Sequence, residues 1–372
     1  MTPNRDRAFD QLRMLECLHL AAKGAGYVSP NPMVGAVVVK DGKVVGIGYH
    51  RRFGGPHAEV YALRQAKRRA KDSTLYVNLE PCCYAGKTPP CTDLIIQSKV
   101  GRVIVGMKDP NPRVMGRGIR RLTAAGIDVE TGVLGDECRK LNEVFSKYIR
   151  TGMPFVALKI AQTLDGNIAE SSAHSKWITS MKSRKLVHAL RARFDAVLVG
   201  ARTIAADDPR LTVHSVHERN PWRIVLDGEF TAPRHARVFT DRNRNRTILF
   251  VSEATLAKRG KALAAMAHRG VQVFASASET GRLDPHLVMK VLAEQDIASV
   301  LVEGGAETFS EFVEAGLADK VFLFLAPKIL GDGLAPFAHI GRRSLRSPVA
   351  LSRVSSWNLG PDILIEGYFK KF

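Results

Sequence analysis

The sequence predicts an α/β protein made of two successive domains. Its 372 residues exceed what one hydrophobic core usually supports. Apolar runs with the length of strands alternate with segments of helical periodicity along the chain. Gly152-Met153-Pro154 interrupts this alternation, because glycine and proline together end a helix. We therefore expect a first domain over residues 1–150 and a second over residues 151–372.

The first half predicts a three-layer α/β/α domain. Asp41-Gly42 indicates a hairpin turn between the first two strands, and apolar residues recur at helical spacing before and after them. The predicted strands are Val34–Val39, Val44–Tyr49, Thr74–Leu79, Arg102–Met107 and Asp128–Thr131. The predicted helices are Arg5–Lys23, Ala58–Ala70, Cys91–Gln97, Gly118–Ala125 and Gly135–Tyr148.

The second half repeats the α/β pattern. Predicted strands are Phe155–Ile160, Ala196–Val199, Arg223–Leu226, Thr247–Val251, Val271–Phe274, Ser299–Val302 and a late pair, Lys320–Ala326 with Ile363–Phe369. Predicted helices are Met181–Arg193, Leu287–Ala293 and one that ends at Ala315. Gly304-Gly305 lies between a strand and a helix, where backbone amides can approach phosphates. The same turn can be only a tight connection, and the chain has no full G-x-G-x-x-G.

Two short motifs in the first half predict a catalytic zinc site. Pro56–Val60 reads P-H-A-E-V and Glu80–Cys91 reads E-P-C-C-Y-A-G-K-T-P-P-C. We assign His57, Cys82 and Cys91 as ligands, because three protein ligands leave the fourth position of zinc to water. Glu59 lies two residues from His57 and is expected to carry protons as general base and acid. H-x-E followed by P-C is the pattern of zinc deaminases that act on nucleobases.

The thiols leave alternatives open. Cys83 neighbours Cys82 and could take its place as a ligand, although consecutive residues seldom reach one metal together. Eight residues separate Cys82 from Cys91, so the loop is longer than in the usual P-C-x-x-C. The cysteines could also be buried and reduced beside a helix-capping histidine. A basic RNA-binding protein with structural zinc is a further alternative, but it requires a fourth protein ligand.

Charge and cysteine usage restrict the partners. The net charge of +19 suits either nucleic acid or anionic small molecules. The cations are dispersed and no aromatic-studded basic strand accompanies them, which favours small phosphorylated ligands over nucleic acid. A nucleic-acid base deaminase with an attached binding domain remains the alternative enzyme. All five cysteines lie in the first 140 residues, and an odd number favours a reducing, cytoplasmic location. We expect no membrane span and no signal peptide.

The chain resembles the bifunctional riboflavin-biosynthesis deaminase/reductase family over nearly its whole length. In the first half the matching segments are Asn31–Val37, Gly48–His50, His57–Glu59, Glu80–Cys82 and Thr88–Cys91. In the second half they are Lys159, Thr163–Gly166, Ser175–Thr179, Asp207–Val213, Val302–Gly305 and Ala326–Lys328. The long loop between the two thiols is a feature of this family.

The resemblance implies a cytidine-deaminase-like first domain and a dihydrofolate-reductase-like second domain. It implies hydrolysis of the 2-amino group of a diamino-ribosylamino-pyrimidinone 5′-phosphate, then reduction of the ribosyl group to ribityl with NADPH. Zn²⁺ and NADPH are the expected cofactors. The expected partners are phosphorylated pyrimidine substrates and further copies of the chain in a homo-oligomer, with neither nucleic acid nor a membrane. Loss of one of the two activities is a further alternative.

The resemblance also implies site residues. Those for the first substrate are Asn31, His50 and Lys87. Those for NADPH are Ala161, Trp177, Thr203, Asp207, Gly305 and Ala306. Those for the second substrate are Ser175, Arg191, Arg210, Leu211, His214 and Glu303. His214 stands where the family commonly has arginine, so a phosphate contact there is expected to be weaker or sensitive to pH. Cys83-Tyr84 replaces a frequent Ser-His.

Overall fold

The computed structural model describes residues 3–84, 89–170, 177–213, 219–276, 283–341 and 343–370. The chain divides into two compact units, Met1–Gly152 and Met153–Phe372. Each unit has its own sheet and its own buried apolar core. In the described part of the chain, no helix combines the length and the apolar character needed to cross a membrane.

The first unit contains a five-stranded sheet in the order β2-β1-β3-β4-β5. Its strands are β1 Gly35–Lys40, β2 Lys43–Tyr49, β3 Thr74–Leu79, β4 Arg102–Met107 and β5 Asp128–Thr131. Strand β1 is antiparallel to both of its neighbours, whereas β3, β4 and β5 are parallel. Its helices are α1 Pro3–Ala22, α2 Ala58–Ala66, α3 Cys91–Gln97, α4 Arg117–Ala124, α5 Gly135–Leu141 and α6 Glu143–Thr151.

Glycines in the first two strands allow helices to approach both faces of this sheet. A Cβ at Gly35 would lie 2.1 Å from the Cys17 carbonyl oxygen of α1. A Cβ at Gly48 would lie 2.2 Å from the Ala58 carbonyl oxygen of α2. Gly48 pairs with Ala36, the residue after Gly35, so α1 and α2 lie on opposite faces. The three-layer prediction is confirmed, and the first turn of α2 is seated directly on the sheet.

The second unit contains a nine-stranded sheet in the order β11-β10-β9-β8-β12-β6-β13-β16-β15, and β7 pairs with β14 outside it. The strands are β6 Phe155–Thr163, β7 Ala169–Glu170, β8 Ala196–Gly200, β9 Trp222–Leu226, β10 Thr247–Ser252, β11 Gln272–Ser276, β12 Ser299–Gly304, β13 Lys320–Ala326, β14 Gly333–Leu334, β15 Leu351–Leu359 and β16 Asp362–Phe369. The helices are α7 Met181–Arg193, α8 Ala201–Asp207, α9 Arg237–Thr240, α10 Glu253–His268, α11 Pro285–Glu294 and α12 Ala306–Glu314.

Strand β12 enters this sheet between two strands that precede it in the chain. It is parallel to β8 on one side and to β6 on the other. The strand order therefore reverses there, and the carboxyl ends of these strands border a crevice of the kind in which α/β proteins bind ligands. Strand β16 is antiparallel to β13, so the predicted late pair of strands is confirmed.

Two predicted helices differ from the observed ones by more than two residues. The helix predicted over Gly135–Tyr148 is interrupted at Asn142, where ψ is 24°. The Asn142 side chain binds the backbone of Met33 twice, accepting from its N–H at 2.8 Å and donating to its carbonyl at 3.0 Å. This long-range contact separates α5 from α6. The helix predicted over Ala58–Ala70 ends at Ala66 and continues as one 3₁₀ turn.

Candidate zinc centre and cofactor cavity

Three elements of the first unit bring the predicted zinc ligands together. His57 is the residue before α2, Cys82 follows β3, and Cys91 is the first residue of α3. The Nδ1 atom of His57 lies 3.2 Å from the Sγ of Cys91 and 3.5 Å from the Sγ of Cys82. The three ligand atoms lie within 4.8 Å of one another. The backbone N–H of Cys91 also donates to the Cys82 sulfur at 3.3 Å.

This donor set fits zinc. Bond lengths of about 2.0–2.3 Å place tetrahedral nitrogen and sulfur ligands about 3.5 Å apart, close to the observed separations. Within the described residues, the cluster consists of these three side chains, and Cys83 is not part of it. Cys17 and Cys138 are buried elsewhere in the unit. A set of one imidazole and two thiols has the composition of a catalytic rather than a structural site.

The cluster favours an anionic sulfur. Hydrogen bonding from Cys91, together with the contact to His57, lowers the pKa of Cys82 to about 4. The hydrogen bond to Cys82 in turn raises the pKa of His57 to about 9. Among the protein groups alone, Cys82 is therefore the thiolate that its two neighbours stabilise. Thiolate is also the form of cysteine that binds metals.

Glu59 is a buried carboxylate beside this cluster. It is the second residue of α2 and only 3% exposed. Burial raises its pKa. Its Oε2 atom has no hydrogen-bond partner among the residues that the structure describes. A carboxylate of raised pKa with a free oxygen, next to a metal-binding cluster, has the properties of a general acid and base.

Asn31 and His50 adjoin the cluster. The ring of His50 lies 5.5 Å from that of His57, and only 2% of His50 is exposed. Its Nδ1 is 3.0 Å from the carbonyl oxygen of Pro56 and its Nε2 is 3.2 Å from Nδ2 of Asn31. A carbonyl can only accept, so Nδ1 carries the proton and Nε2 accepts from the Asn31 amide. Burial lowers the pKa of His50, which favours this neutral form. Lys87 lies outside the described residues.

The sequence interpretation assigned no role to Glu80, which anchors the turn that carries Cys82. Its Oε2 accepts from the N–H groups of Asp109 at 3.1 Å and Gly116 at 2.9 Å. Its Oε1 accepts from those of Gly118 at 3.0 Å and Ile119 at 3.2 Å. Asp109 is a further candidate for a functional residue near Cys82. Burial raises its pKa to about 7, and it interacts electrostatically with the Cys82 sulfur. The only signal for Glu80 in the sequence was its position directly before Pro81-Cys82.

A cavity of about 1340 Å³ in the second unit collects most of the residues predicted for reduction. The predicted cofactor residues that line it are Ala161, Trp177, Thr203, Asp207, Gly305 and Ala306. The predicted substrate residues that line it are Arg191, Arg210, Leu211 and Glu303. Ser175 and His214 lie outside the described residues. The cavity exceeds the volume that one drug-sized ligand needs.

A buried ion pair forms part of the cavity wall. Arg191 binds Glu303 through two parallel contacts, Nε to Oε1 at 2.6 Å and Nη2 to Oε2 at 2.7 Å. Arg191 also donates to the carbonyl oxygen of Thr212 at 3.1 Å. Burial raises the pKa of Glu303. The nearby charges of Arg191 and then Lys159 lower this pKa by more, so the net shift is downward. Leu158, next to Lys159 on β6, pairs with Val302, next to Glu303 on β12. The wall therefore places positive and negative groups side by side.

Arg223 is a buried arginine beside the cavity segment, and no motif in the sequence indicates it. Only 1% of it is exposed, and it is bound by Asp241 and Thr247. Its Nη1 donates to the carbonyl oxygen of Arg210 at 3.2 Å, which holds the segment predicted to contact substrate. A charged residue within the otherwise apolar strand β9 was the signal that could have identified it.

Two family descriptions match the chain. Residues 8–107 match the cytidine and deoxycytidylate deaminase zinc-binding region. Residues 154–365 match the RibD C-terminal domain. With the relatives below, these matches confirm the expected fold class, a cytidine-deaminase-like domain followed by a dihydrofolate-reductase-like domain.

Relatives match along the whole chain. The riboflavin biosynthesis protein RibD of Aquifex aeolicus is 44% identical, over 98% of this chain and 99% of that protein. Its Escherichia coli counterpart is 38% identical, over 96% and 98%. A structure from Thermotoga maritima, described as a diaminohydroxyphosphoribosylaminopyrimidine deaminase/5-amino-6-(5-phosphoribosylamino)uracil reductase, has a TM-score of 0.86, 40% identity and coverage of 98% of this chain and 100% of that one.

Proposed function

Because the chain belongs to the RibD family of riboflavin biosynthesis proteins, we propose that it performs two successive steps, one in each unit. It is a bifunctional enzyme, both a hydrolase and an oxidoreductase. Its cofactors are Zn²⁺ and NADPH. We assign deamination to residues 1–150 and reduction to residues 151–372.

The proposed first step is hydrolysis of the 2-amino group of 2,5-diamino-6-ribosylamino-4(3H)-pyrimidinone 5′-phosphate. His57, Cys82 and Cys91 would hold the zinc ion, which when bound supplies Lewis acidity. Glu59 takes one proton from the attacking water and passes it to the ring nitrogen, then takes the second proton from the added hydroxyl and passes it to the departing amine. Two observations support this role: burial raises the pKa of Glu59, and its Oε2 has no hydrogen-bond partner among the described residues.

Asn31, His50 and Lys87 are proposed to bind the pyrimidine. Since His50 accepts from the Asn31 amide, the orientation of that amide is set and its Oδ1 can accept from a ring substituent. The buried, neutral ring of His50 presents no charge to the substrate. Lys87 is proposed to contact the substrate as well.

The proposed second step is reduction of the ribosyl group of the product to ribityl, with hydride supplied by NADPH. Ala161, Trp177, Thr203, Asp207, Gly305 and Ala306 are the proposed NADPH residues. Ser175, Arg191, Arg210, Leu211, His214 and Glu303 are the proposed substrate residues. The paired Arg191 and Glu303 offer rigid polar atoms in the cavity that can orient sugar hydroxyls.

The observation that carries the proposal is the cluster of His57, Cys82 and Cys91 with the buried Glu59 beside it. The test is an assay of the purified chain on the diaminopyrimidinone phosphate, with and without NADPH, together with metal analysis. We expect ammonia release in both conditions and bound zinc. The ribityl product should form only when NADPH is added, with matching oxidation of NADPH. Absence of ammonia release from zinc-loaded protein would refute the assignment.

Partners and location are also part of the proposal. We propose that the partners are small phosphorylated pyrimidines rather than nucleic acid or a membrane, and that the protein works in the cytoplasm. We further propose a homo-oligomer, supported by the position of β15 at the edge of its sheet, where a strand can pair with a second copy. The molar mass from light scattering tests this, and a monomer at micromolar concentration would refute it.

A further inference from the structure

Two family motifs in the second unit, Thr163–Gly166 and Ala326–Lys328, contain none of the residues proposed to bind NADPH or substrate. The structure brings them together. The N–H of Leu164 donates to the carbonyl oxygen of Lys328 at 2.7 Å. Shortly after the two motifs, β7 pairs with β14. The motifs thus belong to two adjacent segments that run beside each other.

Asp165 fastens these two segments together. Its Oδ2 accepts from the N–H groups of Leu330 at 3.0 Å and Gly331 at 2.7 Å. It also accepts from Nδ2 of Asn167 at 3.3 Å, and the same Nδ2 donates to the carbonyl oxygen of Gly331 at 3.1 Å. Hydrogen bonds from Thr163 and then Gly331 lower the pKa of Asp165 to about 2, so the carboxylate is ionised throughout the neutral range. The turn that follows Lys328 is therefore held by a charged acceptor.

Lys328 connects this turn to the cavity. Its Nζ donates to the carbonyl oxygen of Trp177 at 2.9 Å. The guanidinium carbon of Arg184 lies 4.4 Å from the centre of the Trp177 ring, and Arg184 donates to the Thr179 carbonyl at 2.8 Å. Trp177 is thus held at its backbone and at its ring, while 65% of it remains exposed where it lines the cavity. An indole held in this way can present a flat apolar surface to a planar ligand.

We propose that Asp165 and Lys328 are positioning residues for the reductase site, which hold Trp177 in the orientation that receives NADPH. Asp165 fixes the turn after Lys328, Lys328 fixes the Trp177 carbonyl, and Arg184 fixes the ring. The inference rests on the proposed function, because it takes Trp177 to be an NADPH residue.

The surroundings favour a functional role over a stabilising one. Asp165 and Lys328 are both exposed, and so are their apolar neighbours Leu164 at 59% and Ile329 at 77%. Polar contacts at such exposed positions contribute little to the stability of a fold. The contacts nevertheless converge on one side chain of the cavity. Preorganisation of a binding surface benefits from contacts of this kind, because they reduce the entropy lost when the ligand binds.

The test begins with Lys328→Met, which keeps the length of the side chain and removes the donor. We expect the KM for NADPH to rise about tenfold, the effect of losing one hydrogen bond to a charged group, with a smaller change in kcat. Lys328→Arg, which keeps a long cationic donor, should restore most of the affinity. Lys290→Met on the exposed face of α11 is the matched control and should leave KM unchanged. Hydrogen exchange of peptides from β12 verifies that the second unit of each variant is folded.

A double-mutant cycle separates positioning of Trp177 from a general effect on the fold. In a Trp177→Ala background, Lys328→Met and Asp165→Asn should have no further effect on the KM for NADPH, because the indole ring whose position they set is absent. The inference would be overturned if these substitutions raised the KM for NADPH equally with and without Trp177. It would also be overturned if Lys328→Met kept the wild-type KM. Failure of the unsubstituted protein to oxidise NADPH would instead refute the proposed function.

Discussion

The zinc cluster and the reductase cavity position their functional side chains in different ways. The cluster is small, with three ligand atoms within 4.8 Å of one another and one buried carboxylate beside them. The cavity is wide, about 1340 Å³, and its lining comes from strand ends, helix starts and loops. In the cluster three side chains are placed to bind one ion, and one carboxylate is placed to move protons. In the cavity many side chains are proposed to share the task of holding NADPH and the substrate.

This difference has a physical consequence for substitutions. A group that moves protons or binds a metal cannot be replaced by its neighbours, so its loss removes a whole step. A group that only binds or positions a ligand contributes one part of a sum, so its loss gives a graded effect. Substitutions should therefore either abolish a step or reduce it by degrees, depending on the role of the group that is lost.

The largest effect is expected at Glu59. Glu59→Gln keeps the size of the side chain but cannot carry a proton, so deamination should fall by about 10²–10⁴-fold. Zinc content should stay the same, because Glu59 is not among the clustered ligands. Steady-state ammonia release and metal analysis measure the two quantities, and reduction by the same preparation is the control. Unchanged turnover would exclude a proton-transfer role.

The second effect concerns the buried pair of Arg191 and Glu303. Arg191→Met leaves the Glu303 carboxylate buried without its partner, which typically costs about 3–5 kcal/mol of stability. Hydrogen exchange of peptides from β12, followed by mass spectrometry, reports the loss in the second unit, and peptides from β3 in the first unit are the control. Equal protection in both proteins would mean that the pair does not stabilise the fold.

The same pair predicts a pH dependence. Burial raises the pKa of Glu303 but Arg191 lowers it more, and the net pKa in the folded protein lies below the ordinary value of 4.5. Its stabilising contribution is therefore complete above about pH 4.5 and is lost as the pH falls through the folded-state pKa. The difference in protection between wild type and Arg191→Met should shrink below pH 4.5. A difference that grows on acidification would contradict the assigned sign.

A smaller effect is expected at Glu80. Glu80→Gln places an amide donor against backbone donors, so the turn that carries Cys82 loses part of its support. Zinc affinity or deamination should fall by about 10–100-fold, as for other groups that orient metal ligands. Competition with a chromophoric chelator measures the affinity. Glu137→Gln, at an exposed position of α5, is the matched control, and equal zinc affinity in both variants would exclude the anchoring role.

The smallest effect is expected at the rim of the cavity. Arg202 pairs with Glu307 at 3.2 Å, but the Arg202 side chain is 81% exposed. Exposed pairs contribute about 0–1 kcal/mol, so Arg202→Gln should leave the protection of β12 almost unchanged. A loss of β12 protection as large as that in Arg191→Met would mean that the exposed Arg202–Glu307 pair also stabilises the cavity wall.

The zinc cluster was predictable from the sequence because its parts are short and local. His57 and Cys91 stand at helix starts marked by proline and apolar periodicity, and Cys82 lies three residues after the end of a buried strand. The resemblance then assigned residues in the second unit that the residue pattern alone could not, and ten of them line one cavity. The pattern itself stopped at an α/β domain with a turn suited to phosphate.

Elements with a broken or exposed pattern were not predictable. Helix α10 contains Gly260 and a kink at Arg259, which interrupts its periodicity. Strand β15 lies at the edge of its sheet and is mostly exposed, so it lacks the apolar run of a buried strand. Long-range contacts were also invisible, such as Asn142 with Met33, which divides a predicted helix. No local rule indicates which distant backbone group a buried asparagine will bind.

The central claim is that each unit carries one complete step and that only the first depends on zinc. The most direct measurement is removal of zinc with a chelator, followed by separate assays of ammonia release from the diamino substrate and of NADPH oxidation with the deaminated substrate. We expect deamination to disappear and to return when zinc is added, while reduction keeps its original rate. Loss of both activities on chelation, or survival of deamination in metal-free protein, would contradict the account.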